Sequence, residues 1–275
     1  IAPDAAILFS DILVVPQAMG IEVLMKESVG PFLPNPIRKP QDVEKVIVPN
    51  IQETLGYVMD AIKLTKEMLN DEVPLIGFAG APWTIFSYMI EGKGSKTFSQ
   101  AKKMLYTNPV LSHQLLDKIT TSTIAYLKEQ IKSGADIVQV FDSWAGVLSK
   151  QQYCEFALPY MQKISDAITE VPVILFAKDA HYILEEFAAT NCSVIGLDWT
   201  IEPQKARSEA PTKCLQGNLD PCVLYADKST IKSEAEKMLR AFGSQKYICN
   251  LGHGVYPDVD FEKAKYFIDV VQNFR

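Results

Sequence analysis

The stretch AAILFSDILVVPQ, residues 5–17, carries one acidic residue, Asp11, inside an otherwise apolar run. Five apolar residues precede Ser10 and five follow Asp11. A short apolar run of this kind is typical of a buried strand, and here it leads directly into an apolar turn. Because water has little access to a carboxylate in such surroundings, we expect Asp11 to be bound by a partner other than water.

The same pattern recurs along the chain, where short apolar runs alternate with amphipathic segments. Runs that are apolar on both faces are typical of a parallel sheet covered by helices on both sides. Each run is bounded by glycine, proline or polar residues, which limits its length. Seven strands are therefore predicted, at residues 5–9, 74–78, 137–141, 172–176, 193–197, 212–215 and 246–250.

Amphipathic helices are predicted between and after these strands, at residues 52–70, 111–133, 229–242 and 261–274. In the second of them Leu115, Ile119 and Leu127 fall near one face, and Gly134 is a natural helix stop. Residues 21–38 differ, because alternation around Gly30 and several prolines indicate a small hairpin or a long ordered loop.

Parallel strands with intervening helices fit either an open doubly wound sheet or a (β/α)8 barrel. The phosphate-binding signatures of open sheets, G-x-G-x-x-G after the first strand and G-x-x-x-x-G-K, do not occur in the sequence. We therefore predict an α/β fold, a distorted (β/α)8 TIM-type barrel that forms one domain over residues 1–275. Since seven strands are one short of a full barrel and Ile1 stands close to a strand, we expect the first barrel strand to precede residue 1.

Composition and charge limit the possible partners. The net charge of −6 argues against a nucleic-acid or membrane surface, and no apolar stretch approaches the ~20 residues of a membrane span. The 5 cysteines are scattered and form no CxxC pair. That usage favours a reducing, cytoplasmic location over a disulfide framework or a zinc ribbon.

Polar residues concentrate where the predicted strands end. The active sites of barrel enzymes lie at this edge of the sheet. Phenylalanine closes four of the strands, so the sequence predicts a rim suited to a flat apolar ligand with polar edges. The segments are FSD (9–11), FAGAPWT (78–84), FDSWAG (141–146), FAKDAH (176–181), LDW (197–199), LQGNLDP (215–221) and NLGHG (250–254).

These motifs resemble those of the uroporphyrinogen decarboxylase family. The strings FSDILVVPQAMG, LIGFAGAPWTIFSYMIEG, FAKD, GLDWT, LQGNLDP and YICNLGHGVYPD occur in the family's order, and the match runs from Asp4 to Asp258. The resemblance implies a single distorted barrel, usually a homodimer. It implies a carboxy-lyase of porphyrin and heme biosynthesis that removes the carboxyl groups of the four acetate side chains of uroporphyrinogen III, giving coproporphyrinogen III.

The resemblance also implies that no cofactor or metal takes part, and elementary chemistry agrees. Loss of carbon dioxide from an acetate leaves a carbanion, which needs an electron sink such as a cofactor or a metal. His113, His181 and His253 are far apart in the sequence and lack ligand spacing. A pyrrole protonated at a ring carbon can accept the electrons itself, and a fixed carboxylate would stabilise the resulting cation.

Two residues receive catalytic roles from the resemblance. Asp11 would accept hydrogen bonds from the pyrrole N–H groups at the centre of the macrocycle, and Tyr88 would position or protonate the acetate that is lost. The alternatives are structural. Asp11 could instead cap the following turn or pair with a basic residue, and Tyr88 could be a core aromatic with a satisfied hydroxyl.

Four further residues receive substrate-binding roles from the resemblance. Ser143 would bind a side-chain carboxylate, and His253 would bind a propionate or serve as an acid. Phe78 and Phe141 would line the pocket. The structural alternatives are a turn or cap role for Ser143, an ordinary structural role for His253, and plain core packing for both phenylalanines.

The chain departs from the family pattern in its arginines. A substrate with eight carboxylates needs arginines, and the family supplies them mainly from an R-Q-A-G-R run on its first barrel strand. No such run occurs in residues 1–275, so we expect it to precede residue 1 with the missing strand. Trp144 also stands where relatives often have a smaller or polar residue.

Two other functions stay open. Corrinoid-dependent methyltransferases share the barrel and bind zinc through H-x-C and a distant cysteine. None of the three histidines is followed two positions on by cysteine; those positions hold Leu115, Ile183 and Val255. A barrel that binds tetrapyrroles or a partner protein without catalysis is the second alternative, and the presence of both Asp11 and Tyr88 argues against it.

Overall fold

A computed structural model describes residues 3–27 and 30–274. Its strands are β1 (Ala6–Ile7), β2 (Leu24–Lys26), β3 (Gly30–Phe32), β4 (Leu75–Gly80), β5 (Ile137–Asp142), β6 (Val173–Ala177), β7 (Val194–Gly196), β8 (Cys214–Leu219) and β9 (Tyr247–Leu251). Its α-helices are α1 (Val14–Ala18), α2 (Pro40–Lys45), α3 (Ile51–Leu69), α4 (Pro82–Glu91), α5 (Ser99–Thr107), α6 (Pro109–Lys132), α7 (Lys150–Phe156), α8 (Leu158–Ala167), α9 (Leu184–Ala188), α10 (Pro203–Glu209), α11 (Lys228–Phe242) and α12 (Phe261–Gln272).

One parallel sheet contains a strand at every predicted position. Its order is β1-β4-β5-β6-β7-β8-β9, so sequential strands of the sheet are spatial neighbours. All six pairings are parallel, and each crossover contains at least one helix. The predicted α/β class and the parallel sheet are therefore confirmed. Within the described residues β1 and β9 are the two edges of the sheet, and the eighth strand expected between them stays a prediction.

The first strand differs from its prediction. Only Ala6 and Ile7 pair with β4. Ile7 is 49% exposed, Phe9 is 86% exposed, and Asp11 also lies at the surface. The prediction of a buried strand at 5–9 and a shielded Asp11 is therefore wrong. The physical reason is that, within the described residues, β1 is a short edge strand with a neighbouring strand on one side alone.

The amphipathic helices lie where the sequence predicts them. α6 begins where the Asn108 side chain accepts a hydrogen bond from the N–H of Leu111, and it ends just before Gly134, whose φ of +115° a helix cannot continue through. Its apolar face buries Leu115 and Leu127 completely. Through that face α6 packs against α3, α4 and β4, and it covers the outside of the sheet.

Two local features frame the region above the sheet. β2 pairs antiparallel with β3, which agrees with the hairpin, one of the two alternatives predicted for residues 21–38. The hairpin is joined to the end of α4, because the N–H of Leu33 donates to the carbonyl of Gly92 at 2.7 Å. The sequence did not predict α4. It is short and nearly every residue in it is buried, so its apolar run is difficult to tell from a buried strand in the sequence.

Candidate active site

Aromatic rings form one row along the carboxyl ends of the strands. Successive ring centroids lie 6.4, 5.7, 5.9 and 6.3 Å apart, distances at which aromatic pairs attract each other. The row crosses the ends of β1, β4, β5, β6 and β9 in that order. It is exposed at both ends and mostly buried between them, so it forms an apolar wall at the rim. Its members are Phe9, Phe78, Phe141, Phe176 and His253.

Phe78 is held in this row by its own backbone. The side-chain amide of Gln130, buried on α6, accepts from the N–H of Phe78 and donates to its carbonyl, each at 2.9 Å. These bonds satisfy both backbone groups of a buried strand residue. The Phe78 ring then meets the Phe141 ring edge to face, at an interplanar angle of 83°. The two predicted pocket-lining residues are therefore in contact.

Asp11 lies beside the exposed end of the row. Its Oδ1 accepts a hydrogen bond of 2.8 Å from the N–H of Leu13, and its carbonyl accepts from the N–H of Val14 at 3.3 Å. These contacts make Asp11 the cap of the turn that enters α1. Within the described part of the chain the carboxylate has no other hydrogen-bond donor, which leaves Oδ2 free to accept one from a ligand.

Tyr88 lies on α4, half-buried between two aromatic neighbours. Its ring centroid is 6.0 Å from that of Phe98 and 6.3 Å from that of Trp144. Burial raises the pKa of the Tyr88 hydroxyl; the neighbouring Trp144 side chain lowers this pKa, and the negative charge of Asp11 raises it. Because the net shift is upward from the usual value, Tyr88 is neutral at physiological pH.

Ser143 follows β5 in a turn that is held tightly. Its hydroxyl is half-buried and makes no hydrogen bond within the described residues. The next residue, Trp144, is fixed by its backbone: its N–H donates to Thr84 Oγ1 at 3.3 Å, and its carbonyl accepts from Trp83 Nε1 at 3.0 Å. The buried indole nitrogen of Trp144 makes no well-aligned hydrogen bond within the described residues, and its polar interaction with the Tyr88 hydroxyl is the one that lowers the pKa of that group.

Asp142, the last residue of β5, is a site residue that the sequence analysis did not identify. Its carboxylate is completely buried, with Oδ1 accepting from Thr84 Oγ1 at 2.7 Å and Oδ2 accepting from the Tyr153 hydroxyl at 2.9 Å. Burial raises the pKa of Asp142 to about 6, against the lowering effect of hydrogen bonds from Thr84, Tyr153 and the Trp144 N–H. The one sequence signal is an acid inside the apolar end of a strand.

His253 occupies the other end of the row. Its ring packs against Phe176. Partial desolvation of the imidazole and the positive charge of Lys178 lower the pKa of His253, and nearby carboxylates oppose that shift. Lys178 forms an ion pair with Asp179 and lies 5.4 Å from the centre of the Trp199 ring. His253 and Lys178 therefore provide a cationic or hydrogen-bond-donating end to the wall of rings.

The loops at the rim are closely packed against one another. A Cβ atom at Gly146 would lie 2.5 Å from the Cβ of Asp179, and one at Gly252 would lie 2.7 Å from the backbone nitrogen of Trp199. Both separations are too short for any side chain. The absence of a side chain at these two glycines therefore lets the loops after β5, β6, β7 and β9 pack backbone against backbone.

Within the described residues, few cationic or metal-binding side chains lie at this rim. Arg38 donates to the carbonyl of Ile37, and Arg240 pairs with Glu236. Arg207 donates to carbonyls at the amino ends of β8 and β9, the ends away from the rim. Residues 3–27 and 30–274 contain no group of three or more His, Cys, Asp or Glu side chains that could hold a metal ion. None of the described helices has the length and apolarity of a membrane span.

Comparison with solved structures supports the same class of fold. The chain superimposes on a methyltransferase from Methanosarcina mazei with a TM-score of 0.85 and 22% identity, over 98% of this chain and 80% of that one. A B12-independent methionine synthase from Shewanella sp. W3-18-1 gives a TM-score of 0.59 at 10% identity, over 92% of this chain and 72% of that one. At these identities the likeness concerns the fold alone. The fold and rim define an α/β protein with its candidate site at the carboxyl edge of a parallel sheet.

Sequence comparison identifies the family. The family model described as uroporphyrinogen decarboxylase (URO-D) matches residues 1–274. Proteins named uroporphyrinogen decarboxylase are 57% identical in Flavobacterium johnsoniae and 54% in Christiangramia forsetii, each over 100% of this chain and 81% of the relative. The protein of that name from Ovis aries is 50% identical over 98% of this chain and 76% of its own length. The chain belongs to the uroporphyrinogen decarboxylase family, a family of carboxy-lyases.

Proposed function

We propose that this protein converts uroporphyrinogen III to coproporphyrinogen III by removing carbon dioxide from each of its four acetate side chains, as a step of porphyrin and heme biosynthesis. The observation that carries the proposal is the position of Asp11 and Tyr88. The charge of the Asp11 carboxylate acts on the pKa of the neutral Tyr88 hydroxyl, and Asp11 follows Phe9, the first ring of the aromatic row, by two residues. That combination suits a large apolar ring system with acidic edges.

The pyrrole ring of the substrate supplies the electron sink. Protonation at the ring α-carbon next to the carbon that bears the acetate arm makes that ring a cation. The bond to the carboxylate carbon then breaks, its electron pair flows into the ring, and carbon dioxide leaves. A second proton converts the exocyclic methylene into the methyl group of the product, and loss of the first proton restores the pyrrole. Because the ring accepts the electrons, we propose that neither a cofactor nor a metal takes part.

Asp11 stabilises the cationic ring in this proposal. Its Oδ1 is held by the N–H of Leu13, and its Oδ2 has no donor in the described region, so one oxygen orients the carboxylate and the other accepts the pyrrole N–H groups. Asp11 is exposed in the free protein. A macrocycle that covers it would exclude water from the carboxylate and strengthen its attraction to the cation.

The remaining predicted residues recognise the edges of the macrocycle. Tyr88 is a neutral donor placed to position the acetate or to deliver a proton to it. The Ser143 hydroxyl has no partner among the described residues and would bind a carboxylate. His253 would bind a propionate at the far end of the row, where Lys178 adds positive charge. Phe78 and Phe141 would contact the pyrrole rings.

We further propose one (β/α)8 barrel domain whose remaining strand pairs between the two edge strands, and a homodimer located in the cytoplasm. The edge positions of β1 and β9 support the first point. The free state of all 5 cysteines supports a reducing compartment. Comparing the polypeptide of residues 1–275 with the full translated chain tests the missing strand and its arginines. Equal turnover by the two would mean that the carboxylate clamps lie within residues 1–275.

The proposed function is tested by incubating the purified full chain with freshly reduced uroporphyrinogen III in the absence of oxygen. Chromatography of the oxidised products should show a fall in carboxylate number from eight to four. Substrate that binds, as measured by fluorescence quenching, and is recovered unchanged would establish a binding barrel in place of an enzyme. Heat-denatured protein is the control for spontaneous loss of carbon dioxide.

A further inference from the structure

The buried carboxylate of Asp142 links two elements of the site that the proposed mechanism uses. Thr84, which donates to it, lies one helical turn before Tyr88 on α4, so both residues face the same side of that helix. The turn that carries Ser143 and Trp144 begins at Asp142 itself. Thr84 Oγ1 also accepts the N–H of Trp144, which closes a compact network between α4 and the end of β5.

The charge state of Asp142 decides the direction of the hydrogen bonds in this network. The ionised carboxylate accepts from Thr84 and from Tyr153 at the same time. A proton on either oxygen would turn that oxygen into a donor. The hydroxyl opposite would then have to accept from it, and its own proton would no longer be bound by Asp142. Protonation therefore reverses one of the two clamping bonds and leaves a single hydroxyl donating to the carboxyl group.

No positive charge balances Asp142 within the described residues. The titratable side chains that face it are Tyr153 from α7 and Tyr182 from the turn at 181–183. Burial raises the pKa of Tyr153 well above its usual value and that of Tyr182 to about 12, and the charge of Asp142 adds to both shifts. Both hydroxyls stay neutral, so Asp142 is the group of this cluster that titrates near neutral pH.

We propose that Asp142 is a positioning residue of the reaction: its ionised carboxylate, held by Thr84 and Tyr153, fixes the Ser143–Trp144 turn against the helix that carries Tyr88. The inference rests on the proposed function. Asp142 does not contact the substrate in this proposal, because it is completely buried. Asp142 affects the position of Tyr88 through Trp144, whose indole is a neighbour of the Tyr88 ring, and through α4. We therefore expect it to affect turnover more than substrate affinity.

The central test compares Asp142→Asn with the wild type between pH 5 and pH 8. Asparagine keeps the size of the side chain and one acceptor but cannot accept from both hydroxyls. We expect kcat at pH 7.5 to fall roughly tenfold, the equivalent of one hydrogen bond to a charged group, with KM nearly unchanged. The wild type should also lose kcat as the pH falls through about 6, and Asp142→Asn should lack that loss. Identical pH profiles would overturn the proposal.

Two further variants keep the test decisive. Tyr153→Phe removes one of the two clamping bonds while leaving the carboxylate, and it should lower kcat in the same direction. Asp227→Asn is the matched control, because Asp227 caps α11 at the surface and asparagine caps a helix equally well; its kcat should equal that of the wild type. A fall in kcat that merely follows a loss of folded protein in circular dichroism would overturn the positioning role.

A spectroscopic readout separates this inference from the proposed function, since it needs no turnover. The tryptophan emission of the wild type should change with a midpoint near pH 6, because Trp83 and Trp144 are both bonded within the network. Asp142→Asn should lack this transition and Asp227→Asn should retain it. A protein that shows the transition but converts no substrate refutes the proposed function alone. A transition that survives in Asp142→Asn refutes the network.

Discussion

The carboxylate of Asp11 accepts a 2.8 Å hydrogen bond from the backbone N–H of Leu13. This bond orients the Asp11 side chain although it is exposed. The capping role is therefore compatible with the proposed ligand-binding role, which the sequence analysis gave as its alternative. Asp11 caps the turn that enters α1, and it leaves Oδ2 without a donor in the described chain. Because one carboxylate oxygen is already fixed by the cap, the other oxygen can bind a ligand with little further loss of side-chain conformational entropy.

Replacing Asp11 with asparagine tests the role of its charge. Asparagine can still accept the N–H of Leu13, so we expect the melting temperature and the affinity for substrate to change little. Turnover should fall strongly, since an amide cannot stabilise the cationic pyrrole. Steady-state kinetics give the result directly. Turnover within about threefold of the wild type would mean a charge contribution below roughly 1 kcal/mol, and the electrostatic role would be wrong.

Replacing Tyr88 with phenylalanine removes the hydroxyl and keeps the ring contacts with Phe98 and Trp144. We expect kcat to fall about a hundredfold if the hydroxyl transfers a proton, and about tenfold if it only positions the acetate. Because burial raises the pKa of this hydroxyl above its usual value of 10.0, no loss of activity from its ionisation is expected up to pH 9. Tyr106→Phe, at an exposed position, is the control.

The raised pKa of Asp142 also predicts how stability depends on pH. The folded state keeps the proton to about pH 6, whereas the unfolded chain releases it near 3.8. Asp142 therefore lowers stability progressively as the pH rises between these values. Relative to Asp142→Asn, the wild type should lose up to about 3 kcal/mol of unfolding free energy from pH 4 to pH 7. Urea unfolding of both proteins measures this, and a pH-independent difference would contradict it.

Removal of metal ions should leave activity unchanged. The prediction rests on the electron-accepting pyrrole of the substrate and on the separation of the three histidines, which lie on α6, in the turn at 181–183 and after β9. Dialysis of the full chain against a chelator, followed by the uroporphyrinogen assay, is the measurement. Loss of activity that zinc or magnesium restores would show that a metal takes part, and it would return the methyltransferase-like alternative to consideration.

The regular part of the fold was predictable because its signals are local. The predicted strand at 137–141 corresponds to β5, Ile137–Asp142, and the predicted helix at 52–70 corresponds to α3, Ile51–Leu69. Both have a clear apolar pattern and polar boundaries. The apolar run of α4 is short and mostly buried, so it does not distinguish a helix from a strand, and the edge position of β1 depends on neighbours that a local pattern does not reveal.

The candidate site was predictable only in part, for a similar reason. Strand ends indicate which residues reach the rim, and Phe78 and Phe141 do meet there. Which residue a side chain contacts is decided by the tertiary structure. Nothing local distinguishes Asp11, which is exposed, from Asp142, which is buried, because each is an acid at the end of an apolar run. The sequence analysis assigned burial to Asp11, and the structure places it on Asp142, where Thr84 and Tyr153 come from distant segments.

The contact between loop backbones at Gly146 and Gly252 has a consequence for natural variation. Gly146 is exposed, and a solvent-facing position is ordinarily the most tolerant of substitution. Here even alanine would force Asp179 away, and alanine at Gly252 would displace Trp199. An inherited variant at either glycine would therefore shift the loops around Lys178 and His253 without altering any residue that meets the substrate. Judged by exposure alone, the change at Gly146 would be classified as harmless, although it would alter the far end of the site.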